Sequence, residues 1–213
     1  MHFLSEALEA YISKNSQDEP ALLKALTRET HLKVIQPRML TGHVQGRVLS
    51  LLSKLIRPKR ILEVGTYTGY SALCLAEGLA EDGTLHTIDI NEELHHLQRT
   101  YFDKSPYGHQ IFQYVGDAVE IIPQLDMTFD LVFIDAEKKE YARYLDVVLP
   151  KTAPGSVILS DNVLWSGKFL GPVPEKDKAT QALLAYNAQL KEHPQLETVI
   201  LPVRDGLTLS RVK

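Results

Sequence analysis

From Arg60 onward the chain alternates short apolar runs with helical patterns, and this rhythm constrains the fold more than any other feature. Arg60-Ile61-Leu62-Glu63-Val64 reads as a short buried strand, followed by a helical pattern over residues 70–79. Residues 84–89 form the second strand, and Asn91 is a good N-cap for a helix running through Tyr101. Residues 110–115 make a third strand, after which Asp117 caps a helix ending near Leu125. The fourth and fifth strands are residues 129–134 and 155–160, joined by a helix through Tyr141, Leu145 and Val148. A helix over 178–192 precedes two last strands, 197–202 and 207–212, separated by the hairpin-turn signal Asp205-Gly206. Five strand–helix units followed by an antiparallel pair predict an α/β protein with a doubly wound sheet.

Residues 1–57 read differently. Leu4, Leu8, Tyr11 and Ile12 recur at helical spacing, a second helix starts near Pro20, and a third carries Val44, Val48, Leu51, Leu52 and Leu55. Pro58 ends it. A helical extension over 1–57 thus precedes an α/β core over 58–213, within a single domain of 213 residues. The net charge of -4 gives no footprint for gripping duplex nucleic acid. No apolar run approaches the ~20 residues of a membrane span, and Glu6 and Glu9 interrupt any signal-peptide core. The only cysteine, Cys74, excludes an internal disulfide and a zinc-type cysteine cluster, so a reducing cytoplasm is the default.

Three oxygen-bearing side chains close the fourth and fifth strands. Asp135 follows Ile134, and Asp161-Asn162 follows Ser160. If the two runs are parallel neighbours, these residues meet at the carboxyl edge of the sheet, where α/β proteins place ligands. Two carboxylates and an amide oxygen suit a hard divalent cation such as Mg²⁺. Lys138, three residues after Asp135, sets a base or charged donor beside it.

A second cluster lies at the end of the first strand. Glu63-Val64-Gly65-Thr66-Tyr67-Thr68-Gly69 is a glycine-rich turn between strand and helix. Gly65 permits a tight turn and a close approach to a ligand. Thr66 and Tyr67 stand where a dinucleotide fingerprint wants its second glycine, which argues against NAD. Asp89, at the end of the second strand, is placed to accept hydrogen bonds from a ribose diol.

These motifs resemble the cation-dependent O-methyltransferases that use S-adenosylmethionine, the group of catechol and caffeoyl-coenzyme A O-methyltransferases. The resemblance runs from about Met39 to Lys213. It rests on Glu63–Ser71, on Asp135-Ala136-Glu137-Lys138, on Asp161–Gly167 and on Asp205–Leu209. It implies a Rossmann-like, seven-stranded methyltransferase fold whose last strand is antiparallel. By the same resemblance, Met39 and Thr41 lie over the methionine end of the donor. Gly65 and Tyr67 contact the donor, Ser71 holds its carboxylate, and Asp89 binds its ribose. Asp117 and Ala118 line the adenine pocket, Glu63 supports the turn, and Asp135 borders the donor. Asp135, Asp161 and Asn162 bind Mg²⁺ (or Mn²⁺ or Ca²⁺), and Lys138 acts as catalytic base with Asp135 beside it.

The implied reaction is methyl transfer to a hydroxyl of a small aromatic vicinal diol of the catechol or caffeoyl type. Two alternatives use the same residues differently: a tRNA hydroxyuridine O-methyltransferase, which the acidic charge disfavours, and a non-catalytic donor-binding protein. The N-terminal helices offer a homodimer interface. Cys74 falls on an apolar helix face and reads as core, and the adjacent His95-His96 diverge on a helix and read as surface. His43 stands at a helix start near the expected donor, and Trp165 just beyond the expected ligands. Arg204 stands where many members of that family have glycine. The catechol enzymes have a late glutamate near the substrate hydroxyls, which Val203–Gly206 does not reproduce.

Overall fold

The computed structural model describes residues 4–213; the reading of the first three residues lies outside them. The chain divides into two compact units, residues 4–117 and 118–213.

The first unit opens with three helices, α1 (Glu6–Lys14), α2 (Ala21–Lys33) and α3 (His43–Ile56). Ser5 caps α1, its Oγ accepting the Leu8 N–H at 3.4 Å. Pro20 is the N-cap of α2, one position before the first helical residue. β1 (Arg60–Val64), α4 (Tyr70–Ala76), β2 (Thr84–Asp89), α5 (His95–Lys104) and β3 (Ile111–Val115) follow. The strands are parallel in the order β3-β2-β1. Register pairs Val64 with Ile88 and Asp89 with Val115, so the strand ends that carry the glycine turn and Asp89 are aligned. α4 stops three residues before the expected Leu79. Asn91 caps a 3-10 turn, accepting the Glu93 N–H at 3.0 Å, and α5 starts only afterwards.

A part-buried ionic cluster joins α3 to Glu77, the C-cap of α4. Arg47 donates from its two terminal guanidinium nitrogens to Glu77 at 3.1 and 2.7 Å, and Ser50 and Lys54 each donate to the same carboxylate at 2.7 Å. Burial raises the Glu77 carboxyl, and these hydrogen bonds outweigh it and hold the group down at about 2. Cys74 is fully buried beside Arg47, as expected of a core residue, and burial pushes its thiol up to about 12.

The second unit contains α6 (Ala118–Ile121), β4 (Phe129–Ile134), α7 (Tyr141–Val148), β5 (Thr152–Asp161), α8 (Lys178–Glu192), β6 (Leu196–Leu201) and β7 (Leu207–Val212). Its strands lie in the order β4-β5-β7-β6. β4 and β5 are parallel, and β7 is antiparallel to both β5 and β6. The seven strands therefore follow the mixed pattern expected, with the last one reversed. β5 begins earlier than its apolar run, at Thr152, and its register against β4 shifts between Phe129 and Leu131. Pro154 lacks the N–H that a regular ladder would need there, and Gly155 takes a φ of 97°. The Asp205-Gly206 signal marks a turn, and five residues rather than the expected four connect β6 to β7, because β6 ends at Leu201. Gly206 N–H donates to Val203 at 2.9 Å, and Arg204 and Gly206 both have positive φ. The helix expected after Asp117 is only four residues long and continues as a 3-10 turn, because Pro123 cannot extend the α-helical hydrogen bonds.

Candidate active site

In the first unit the glycine turn is built around Asp89. Gly65 leaves β1 with a φ of 98°, a conformation that favours glycine, and its N–H donates to Ile88 at 2.9 Å. The chain then folds over Asp89, whose Oδ2 accepts the N–H groups of Thr66 and Tyr67 at 3.0 and 2.7 Å. Its Oδ1 accepts the Asn91 N–H at 2.8 Å. A carboxylate has about four acceptor positions, so these three bonds leave one on Oδ1 for a ligand hydroxyl. Asp89 thus shapes the turn as well as presenting an acceptor.

Glu63 lies beneath, fully buried. Thr87 donates to its Oε2 at 2.5 Å, and the Thr87 hydroxyl is in turn 2.5 Å from that of Thr66. This hydroxyl chain connects Glu63 to the turn and accounts for an acid among the buried apolar residues of β1. Tyr67 has a positive φ of 50°; its carbonyl accepts from Gln98 at 2.8 Å and its hydroxyl donates to the Gln36 carbonyl at 2.8 Å. Burial raises the Tyr67 phenol.

Met39 closes a 3-10 turn and is exposed, whereas Thr41 is buried one residue before Gly42, the N-cap of α3. Ser71 is buried in the first turn of α4. Asp117 is exposed at the end of this unit, next to Gly116, whose N–H donates to the Asp89 carbonyl at 2.9 Å. His43 is occupied elsewhere. Its Nε2 lies 2.6 Å from the Gln17 carbonyl and its Nδ1 3.0 Å from the Ser13 hydroxyl. A carbonyl only accepts, so Nε2 carries the proton and His43 docks the α1 segment onto α3.

In the second unit Ala118 is buried at the start of α6, and the expected cation ligands sit at the ends of β4 and β5. Register pairs Ile134 with Ser160, so Asp135 and Asp161 each stand one residue further, side by side. Asp161 is buried, and its Oδ1 accepts the N–H of Asn162 at 2.7 Å. Asn162 turns the chain with a φ of 58°, a conformation asparagine tolerates better than most residues. Among the described residues no group of three or more His, Cys, Asp or Glu side chains forms a metal cluster. The donors here are two carboxylates and an amide oxygen, a hard oxygen set that fits Mg²⁺ better than a soft metal.

Lys138 Nζ donates to Asp135 Oδ1 at 2.8 Å and to the Tyr141 hydroxyl at 2.9 Å. Tyr141 is fully buried, and its hydroxyl reaches the carbonyls of Asp161 (3.0 Å) and Ile134 (3.3 Å). Burial, and then the charges of Asp135 and Asp161, push its phenol well up. In the sequence pattern Tyr141 stands only as a residue of the helix between the fourth and fifth strands. The available signal was its place three residues after Lys138, since side chains at i and i+3 eclipse in a 3-10 turn such as 138–140.

Asp205 was also underestimated. Its Oδ1 accepts the Ser166 N–H at 2.5 Å, and its carbonyl accepts the Leu164 N–H at 2.9 Å. The β6–β7 connection thus holds the segment that follows Asp161-Asn162. Burial raises the Asp205 carboxyl against the Ser166 N–H and the charges of Arg204 and Lys138. Trp165 lies in that segment with a φ of 43°, its ring 5.0 Å below Lys168 Nζ.

Residues 13–213 match the family model described as O-methyltransferase. The chain belongs to the O-methyltransferase family. It is similar to caffeoyl-CoA O-methyltransferase 5 of Nicotiana tabacum, with 34% identity covering 97% of this chain and 91% of that one. The SAH-bound methyltransferase PaMTH1 of Podospora anserina is 30% identical and superposes with a TM-score of 0.89, covering 98% of this chain and 94% of that one. TomG of Streptomyces achromogenes, an O-methyltransferase involved in tomaymycin synthesis and solved with SAM, has 28% identity and a TM-score of 0.89. The match covers 99% of this chain and 100% of that one. This O-methyltransferase is S-adenosylmethionine-dependent and has the Rossmann-like fold of its relatives. No helix among its described residues is long and apolar enough to cross a membrane.

Proposed function

We propose that this O-methyltransferase moves the methyl group of S-adenosylmethionine to one hydroxyl of a small aromatic vicinal diol, with Mg²⁺, Mn²⁺ or Ca²⁺ held by Asp135, Asp161 and Asn162. The observation that carries the reading is the Lys138 amine 2.8 Å from Asp135, at the end of β4 beside the β5 end that carries Asp161 and Asn162. Relatives named as caffeoyl-CoA O-methyltransferases, at 33–36% identity, support an acceptor of that class.

The donor residues in this proposal are Met39, Thr41, Glu63, Gly65, Tyr67, Ser71, Asp89, Asp117 and Ala118, with Asp135 bordering them. A sulfonium methyl is already electrophilic, so the work lies in presenting an oxygen nucleophile, and a phenol is mostly protonated at neutral pH. A divalent cation supplies Lewis acidity, which lowers a hydroxyl pKa and fixes two neighbouring oxygens. Lys138, in its neutral form, takes the hydroxyl proton. The oxygen forms the new C–O bond, and the electron pair of the broken C–S bond stays on sulfur.

Transfer of a labelled methyl group to catechol, with bulk tRNA as the competing acceptor, tests this reading. Label in catechol that disappears with a chelator and in Asp161→Ala, while SAH binding persists, is the expected result. Full turnover without a divalent cation, or label only in tRNA, overturns it. A cytoplasmic homodimer completes the proposal. The single cysteine fits a reducing compartment, and the exposed apolar side chains Tyr11 on α1 and Leu51 and Leu55 on α3 are available to a second copy. A monomeric mass by light scattering at micromolar concentration contradicts the dimer.

A further inference from the structure

Between the candidate ligands and the candidate base stands a tyrosine with no solvent contact. Tyr141 opens α7 directly after the 3-10 turn that carries Lys138. That turn stacks the two side chains: Lys138 Nζ lies 5.1 Å from the Tyr141 ring centroid and 2.9 Å from its hydroxyl. An ammonium only donates, so this hydroxyl is the acceptor. Its own single proton then points to the Asp161 carbonyl at 3.0 Å, with the Ile134 carbonyl at 3.3 Å. Asp161 is one candidate ligand, and Ile134 immediately precedes another, Asp135. One hydroxyl therefore links the Lys138 nitrogen to the main chain at the ends of β5 and β4.

The ring is held as firmly as the hydroxyl. Tyr186 of α8 packs edge-on against it, with centroids 5.2 Å apart and an interplanar angle of 78°. The Tyr186 hydroxyl is 2.6 Å from Ser160 Oγ, one residue before Asp161. Of the two bonds that fix Lys138 Nζ, the one to Asp135 is shared with a proposed cation ligand. The bond to Tyr141 involves no ligand side chain.

We propose that Tyr141 is a positioning residue for Lys138: its hydroxyl fixes the lysine nitrogen against the β4 and β5 ends, independently of the Asp135 carboxylate. This rests on the methyl-transfer reading for its kinetic consequence, but not for the placement itself. A phenylalanine keeps the ring and its packing and removes only the hydroxyl.

The test has two arms, both on the full chain carrying Tyr141→Phe. In the first, without metal or donor, an amine-acylating reagent is applied and lysine modification is followed by peptide mass spectrometry. Lys138 is expected to label several-fold faster than in the wild type, with exposed Lys191 unchanged. Tyr186→Phe, which also loses a buried hydroxyl, is expected to leave Lys138 labelling unchanged. In the second arm, kcat for methyl transfer falls about ten- to a hundredfold while KM for the donor and SAH affinity hold. The same substitution then adds nothing in a Lys138→Met background. Unchanged Lys138 labelling, a Tyr141→Phe chain that does not fold, or losses that multiply in the double variant overturn the proposal. Absence of methyl transfer in the wild type, with faster Lys138 labelling in the variant, sinks the reaction and leaves the positioning standing.

Discussion

Asp89 holds the backbone of Tyr67, accepting its N–H on Oδ2 at 2.7 Å, 22 residues away in the chain. The same oxygen takes the Thr66 N–H, so the carboxylate is the template on which the glycine turn is folded. Removing it in Asp89→Ala deletes two charge-assisted bonds to the turn and the remaining acceptor position on Oδ1. Each such bond is worth about 1.5–3 kcal/mol, so SAH affinity is expected to fall at least about tenfold. Calorimetric titration measures it, and an unchanged dissociation constant contradicts the assignment.

Lys138 and Asp135 form a pair that is only slightly exposed. In Lys138→Met the proposed proton acceptor is gone, whereas the glycine turn and Asp89 are untouched. Turnover is expected to drop by about 10²–10⁴, the usual contribution of general base catalysis. The SAH dissociation constant is expected to stay as in the wild type. Turnover within a factor of about two of the wild type rules out Lys138 as the base.

Gly206 is required where the β6–β7 connection meets the segment after Asn162. Its φ is 88°, and a Cβ there collides with the Leu164 side chain and main-chain nitrogen. Gly206→Ala is expected to cost about 1–3 kcal/mol in a denaturant titration. Because Leu164 and Ser166 hang on Asp205, the acceptor KM should rise while SAH affinity holds. Wild-type stability in this variant contradicts the close contact.

Acid stability reads out the Arg47–Glu77 cluster. Glu77 sits at about 2 in the folded chain against an ordinary 4.5. The unfolded chain therefore takes up this proton first as pH falls. The stabilisation is complete above pH 4.5 and is lost between there and about 2. Glu77→Gln is expected to flatten that part of the Tm-against-pH curve. At pH 7 it should destabilise the chain by on the order of 3 kcal/mol, since Arg47 remains buried with its carboxylate removed. An unchanged acid limb assigns acid unfolding to other carboxylates.

Much of this protein is written locally. Strand β1, strand β2, helix α3 and helix α8 begin and end where periodicity, prolines and caps place them, because those signals act within a few residues. The errors fall where a nearer effect interrupts a pattern: Pro123 shortens the helix after Asp117, and Pro154 with Gly155 offsets β5 against β4. The candidate ligands and base were legible for a related reason. Asp135, Lys138, Asp161 and Asn162 stand at the ends of apolar runs, and parallel pairing makes strand ends converge.

What the sequence determined by itself is therefore the alternation of strands and helices and the residue types at the strand ends. Only the tertiary structure decided what those side chains touch. Tyr141 reaches the carbonyl of Asp161, Asp205 the N–H of Ser166, and His43 the Gln17 carbonyl. Each contact joins residues at least 20 positions apart in the chain. Hydrogen bonds need partners within about 3.5 Å. That proximity is set by strand register and helix packing, which no local pattern in the chain encodes.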